Sequence, residues 1–124
     1  MEVIKLDKAF EGLWKASAEK RYKSFLNTVA DSEKVWLLVS ECGFATYDDK
    51  GYIHILVWPQ KEYCLKFASP SEFSVDIEIH DFLERCKTLD DRTRFMVFPT
   101  FENTYVVSPE QLRLDIINQL ERIE

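Results

Sequence analysis

The sequence predicts an α+β fold, and three observations carry that prediction. Two stretches read as strand, proline, helix: Ile55-Leu56-Val57-Trp58-Pro59-Gln60 and Tyr105-Val106-Val107-Ser108-Pro109-Glu110. A helical apolar face precedes each of them. Between them, Phe73, Val75, Ile77 and Ile79 alternate with polar residues as a half-exposed strand does. The architecture expected is a single domain over 1–124, with one antiparallel sheet of five to six strands and about four helices. Its order is an imperfect α-β-β-α duplication, with halves at 17–70 and 71–124. Residues 1–16 read as an N-terminal extension or weak helix.

Taken in order, Phe10, Leu13 and Trp14 have helical spacing within Leu6–Trp14, interrupted by Gly12. Ser17 can cap a helix running to Ala30, because its hydroxyl can accept from a free first-turn N–H. Tyr22, Phe25, Leu26 and Val29 share one face of that helix. Val35–Ser40 is a strongly apolar strand, and Gly43 turns the chain into Phe44–Tyr47. Asp48-Asp49-Lys50-Gly51 is a hairpin turn in which Gly51 can take positive φ. Tyr52–Val57 returns as a buried strand, and Pro59 is expected at the first position of a helix to about Ala68. Glu62 then lies in the first turn, where the helix dipole favours negative charge. Phe82, Leu83, Cys86 and Leu89 give a helical face over 80–88. Phe95–Phe98 and Tyr105–Val107 make the second hairpin. Ser108 caps the last helix (109–122), Pro109 suits its first position, and Gln111 has capping-box spacing. Leu112, Ile116, Leu120 and Ile123 lie along its apolar side, with Ile117 beside them.

A chain of 124 residues that is 46% hydrophobic can bury a core without metal or disulfide staples. Its 3 Gly and 4 Pro leave no room for a long flexible linker. No secretory signal pattern and no apolar run near a membrane span is present, so a cytoplasmic protein without membrane contact is expected. Cys42, Cys64 and Cys86 are odd in number and far apart, unlike a secreted disulfide framework. They repeat every 22 residues, as do Trp14, Trp36 and Trp58, but the residues between do not repeat.

The net charge of −6 is uneven. Residues 1–34 hold 7 Lys/Arg against 6 Asp/Glu, and residues 35–124 hold 9 against 16. Such a surface repels phosphate backbones, which argues against nucleic acid and favours a protein partner with a basic surface. Asp76 and Glu78 project from the outer face of the alternating strand and are the first candidate contact. Acids there also protect an edge strand from aggregation.

Catalytic motifs are absent: there is no Gly-rich phosphate loop, GxSxG elbow, HExxH or CxxC pair. Without close ligand pairs no metal site is expected, and no cofactor. The three cysteines should be free thiols, and His54, between Ile53 and Ile55, a satisfied strand residue. Asp48-Asp49 and Asp90-Asp91 sit at chain reversals and stay solvated. Trp36, Trp58 and Tyr63, with Phe44, Tyr47 and Tyr52, form an aromatic block that belongs to the core or lines a ligand groove, with core favoured.

Several segments together resemble a family of small bacterial proteins, domain of unknown function 2750. They are Ser17-Ala18-Glu19-Lys20-Arg21-Tyr22 leading to Phe25 and Val29, Val35-Trp36, Gly43-Phe44, and Val57-Trp58-Pro59 with Glu62-Tyr63. Phe82-Leu83, Val97-Phe98-Pro99 and Val107-Ser108-Pro109-Glu110 complete the set. The similarity spans about 17–120. It implies a single α+β domain in a bacterial cytoplasm and brings no activity or catalytic residue. Cys64 stands where the resemblance leads one to expect alanine, which argues against an essential thiol.

Two functions follow as expectations. The first is a small acidic protein-binding module, immunity-type or regulatory and not an enzyme. The alternative is a small-molecule-binding or hydrolytic domain using an aromatic-lined pocket around Trp36, Trp58 and Tyr63.

Overall fold

The computed structural model describes residues 11–123. Of the expected N-terminal segment, residues 11–14 form a helical turn and the remainder lies outside the described residues. The elements that follow are α1 (Ala18–Ser32), β1 (Lys34–Ser40), β2 (Gly43–Phe44), β3 (Thr46–Asp49), β4 (Tyr52–Val57) and α2 (Lys61–Phe67). After them come β5 (Phe73–Glu78), α3 (Ile79–Thr88), β6 (Thr93–Val97), β7 (Tyr105–Val107) and α4 (Pro109–Ile123).

The α+β class and the helices stand, but the sheet differs from the single antiparallel one expected. The strands form two sheets, ordered β2-β1-β5 and β3-β4-β6-β7, and β4 pairs with β6 in parallel. The cause lies in the connection. Between β4 and β6 the chain makes α2, β5 and α3, a crossover long enough to bring it back in the same direction. Each hairpin is written locally, whereas the pairing between halves is not. The repeated order of helix, strands and helix therefore does not become a repeated sheet.

The two sheets share a seam. Trp36 and Trp58 exchange backbone hydrogen bonds, Trp36 N–H to Trp58 O at 3.0 Å and Trp58 N–H to Trp36 O at 2.8 Å. The chain from 43 to 49 runs along both sheets: β2 pairs with β1, β3 pairs with β4, and Ala45 N–H bonds Leu38 O at the changeover.

Helix starts follow their caps. Ser17 Oγ accepts from Lys20 N–H at 3.2 Å, and Ser108 Oγ accepts from Gln111 N–H at 3.1 Å. Gln111 does not close a capping box; its amide donates to Asp115 Oδ1 at 2.9 Å instead. Pro59 is not the first residue of α2, which begins at Lys61 after a bend. Trp58 stays in register with Trp36, so the chain needs two more residues to leave the sheet.

The core gathers Tyr22, Phe25 and Val29 of α1 and Leu112 and Ile116 of α4 against Val57, Phe95 and Val97 of the sheet. The alternation of β5 holds for Asp76 and Glu78, which are exposed, and for partly buried Val75 and Ile77. It fails at both ends. Ile79 begins α3, and Phe73 is 55% exposed. Phe73 and Phe44 flank Val39 across β1, at an end of the sheet.

Candidate functional site

The connection between β6 and β7, residues 98–104, is built around a buried cation. Arg21 on α1 is 1% exposed. Its Nε donates to Phe98 O at 3.0 Å, its Nη1 to Ala16 O, and its Nη2 to Asn103 O at 2.9 Å and Asn103 Oδ1 at 2.5 Å. Burial lowers the guanidinium pKa while the Glu102 charge opposes that shift; arginine stays protonated regardless. Two more bonds fix the loop's base: Phe98 N–H to Val57 O at 2.7 Å and Trp58 Nε1 to Pro99 O at 3.1 Å. Phe98 has φ of 54°, an αL conformation that costs energy for a bulky residue and that these bonds hold in place. Thr100 Oγ1 accepts from Glu102 N–H at 3.3 Å, closing the tip.

That scaffold presents Phe101 to solvent with 72% of its surface exposed. Its ring stacks on Phe67 at the end of α2 (centroids 5.0 Å, interplanar angle 9°) and meets Trp14 edge-on at 6.0 Å. Between this loop, α2 and β3 lies a groove of about 520 Å³. Leu56 and Met96 line it from the sheet, Tyr47, Phe67 and Phe101 supply aromatic surface, and among the described residues Glu72 and Glu102 are its only charged ones. Thr104 also lines it, and its Oγ1 is buried with no hydrogen-bond partner among the described residues.

The expected aromatic block divides. Tyr47 lines the groove, but Trp58 is fully buried and Tyr63 is buried, packed on Phe98 with centroids 4.6 Å apart. Trp36 is half-buried at the seam. Trp36, Trp58 and Tyr63 therefore support the groove's scaffold without lining it. Phe67, Phe101, Glu72 and Glu102 went unnoticed in the sequence. The one available signal was Phe101 itself, an aromatic in the polar run Thr100–Thr104 between two strands.

Asp76 faces Lys34 Nζ at 3.5 Å. Glu78 is the N-cap of α3, accepting from His80 N–H at 3.1 Å and Asp81 N–H at 3.3 Å, with its other oxygen 2.7 Å from His80 Nδ1. The His80 side-chain bond, followed by the backbone bonds, lowers the Glu78 pKa. The structure does not bring these acids to the groove. Among the described residues, Glu33, Glu78 and His80 form one exposed set of ligand-type atoms within 4.8 Å of one another. All three cysteines are free, Cys42 exposed and the others buried. Burial pushes the Cys64 and Cys86 thiols up to about 12. His54 is buried with Nδ1 2.9 Å from Tyr47 O, a satisfied strand residue. Among the described residues no helix is long and apolar enough to cross a membrane.

Residues 22–116 match the model of the family described as a protein of unknown function (DUF2750), and the chain belongs to that family. Comparison with curated proteins gives no match.

Proposed function

We propose that this member of the family is a protein-binding module whose contact surface is the groove beneath Phe101. One observation carries the reading: the loop holds a large aromatic ring in water, beside an apolar groove whose charged residues are both acids. An exposed aromatic at a groove rim is a costly use of apolar surface unless a partner covers it, and aromatic residues are enriched in interface cores. The carboxylates of Glu72 and Glu102 select for lysine or arginine in that partner, as the chain's negative charge does at longer range. The partner thus presents bulky apolar side chains among basic ones. An immunity-type or regulatory role fits a small acidic protein that works by covering such a surface. Asp76 and Glu78, each with a local partner, add to the field that steers encounter.

Selection from a displayed peptide library tests this. Enrichment of apolar-basic sequences that bind the native protein and lose affinity to Phe101→Ala supports the reading. Enrichment that does not depend on Phe101, or none, overturns it. Saturable binding of small aromatic compounds in the groove, with no peptide enriched, would favour the pocket alternative.

A further inference from the structure

The chain from 43 to 49 is an edge of both sheets at once, since β2 and β3 are each terminal in their strand orders. The hydrogen-bond parity shows which of its backbone groups are open. Ile53 N–H bonds Arg92 O at 2.9 Å, and Val57 O accepts from Phe98 N–H, so the odd-numbered residues of β4 face β6. His54 and Tyr52 consequently face β3, where their register partners are Tyr47 and Asp49. Successive residues of a strand direct their N–H and C=O groups to opposite sides. Thr46 and Asp48 therefore turn theirs outward, as does Phe44 further along. Ala45 agrees with this parity, because its N–H points inward to Leu38 O. Among the described residues no hydrogen bond reaches the outward groups of Thr46 and Asp48, and every residue of β2 and β3 is exposed.

Natural sheets cover, shorten or charge such an edge. This one carries Asp48 and Asp49 with no lysine or arginine between 43 and 49. Its side chains also belong to the surface already described, as Tyr47 and Thr46 line the groove. A strand laid against this edge would run beside the groove, placing alternate side chains over it and the others near Asp48.

We propose that residues 43–49 dock an extended segment of a partner protein by strand addition, the segment alternating bulky apolar residues with lysine or arginine. Main-chain hydrogen bonds to Phe44, Thr46 and Asp48 give affinity, and the alternating side chains give specificity. Every other residue reaches toward Leu56, Met96 and Phe101, and the basic residues between lie on the opposite face, beside Asp48. The inference rests on the protein-binding reading and adds the mode of engagement and the chemistry of the segment.

An acetylated peptide of alternating phenylalanine and lysine serves as the probe, with a serine–lysine peptide as control. Amide hydrogen exchange is followed by NMR on the native protein, free and peptide-bound. Strand addition protects the outward amides, so exchange at Thr46 and Asp48 should slow by about tenfold or more. Tyr47 and Asp49, already bonded to β4, should change far less. Asp48→Lys with Asp49→Lys, shown folded by circular dichroism, should weaken the probe by about tenfold or more. Phe101-dependent binding without slowing at Thr46 and Asp48 would overturn strand addition while leaving the groove reading intact. Binding unaffected by the lysine pair would assign the aspartates to edge protection alone and overturn the proposed basic segment. Failure of the probe to bind overturns the inference; the library selection decides the groove reading separately.

Discussion

Arg21 and Asn103 lie 82 positions apart, and one guanidinium nitrogen holds both oxygens of the asparagine, 2.9 Å to the backbone and 2.5 Å to the side chain. This contact ties the first helix to the loop that carries Phe101. The Arg21 and Phe98-Pro99 segments behind the family resemblance thus meet at one place, where they set a loop conformation.

Arg21→Met should therefore be severe. It removes the guanidinium donor from the Phe98 and Ala16 carbonyls and from Asn103 Oδ1, while Asn103 O keeps its bonds from Thr100, at a cost of about 3 kcal/mol or more. Arg21→Lys should not restore it, since an ammonium cannot reproduce the planar fork. Urea titration measures both; a loss under about 1 kcal/mol in the methionine variant would show that the loop holds itself.

Phe101→Ala should separate binding from folding. The ring is mostly solvated, so truncation should cost less than about 1 kcal/mol of stability. Peptide affinity should fall by about tenfold or more, the range of an interface anchor. Calorimetry on one preparation gives both numbers, and a large loss of stability without a loss of affinity would reverse the assignment.

Local backbone chemistry predicts two opposite shifts. Ser108→Ala removes the acceptor of Gln111 N–H and should cost about 1 kcal/mol. Lys50 and Gly51 connect β3 to β4 with φ of 52° and 86°, positive at both positions as a type I′ turn requires. Lys50→Gly removes the side-chain clash of that conformation and should gain about 0.5–1 kcal/mol, whereas Lys50→Ala keeps it and should be nearly silent. Denaturant midpoints order the three variants.

The thiols should behave unequally. In the native protein a thiol reagent should modify Cys42 first, and Cys64 and Cys86 only as the chain opens. Cys64 and Cys86 have folded pKa values raised to about 12, against about 8.5 in an unfolded chain. Their contribution is complete below the unfolded value and is lost as pH rises toward the folded one. Tyr22, raised by burial and by its bond to Asp115, adds to the loss at higher pH. Stability measured from about pH 8 to about pH 11 should decline, with a shallower slope in Cys64→Ala.

What was legible in the sequence was local. Ser17 and Ser108 announced their helices because capping depends on a few adjacent residues, and the apolar face of Leu112 and Ile116 follows from helical period alone. The partnership of β4 with β6 was not legible, because it depends on how a crossover lands. Nor was the site. The sequence reads Trp58 and Tyr63 as core or groove with core favoured, and they are buried, but which aromatic is presented to solvent does not follow from type. Phe101 is held in solvent because Arg21, far away in sequence, fixes its loop. Aromatic composition marks neither case; only three-dimensional context separates a core ring from a presented one.

The Arg21 contacts also bear on the order of assembly. A nascent chain that has emerged only through β5 can form α1 and the Arg21 bond to Ala16 O, but the other acceptors of the guanidinium, on Phe98 and Asn103, do not yet exist. The Nε and Nη2 of Arg21 must remain hydrated until synthesis is nearly finished, so closure of that site is a late event dominated by contacts distant along the chain. Time-resolved exchange during refolding should find the Asn103 amide protected after those of α1. The presented ring of Phe101, the proposed contact, would then be among the last features to form, and incomplete chains would not display it.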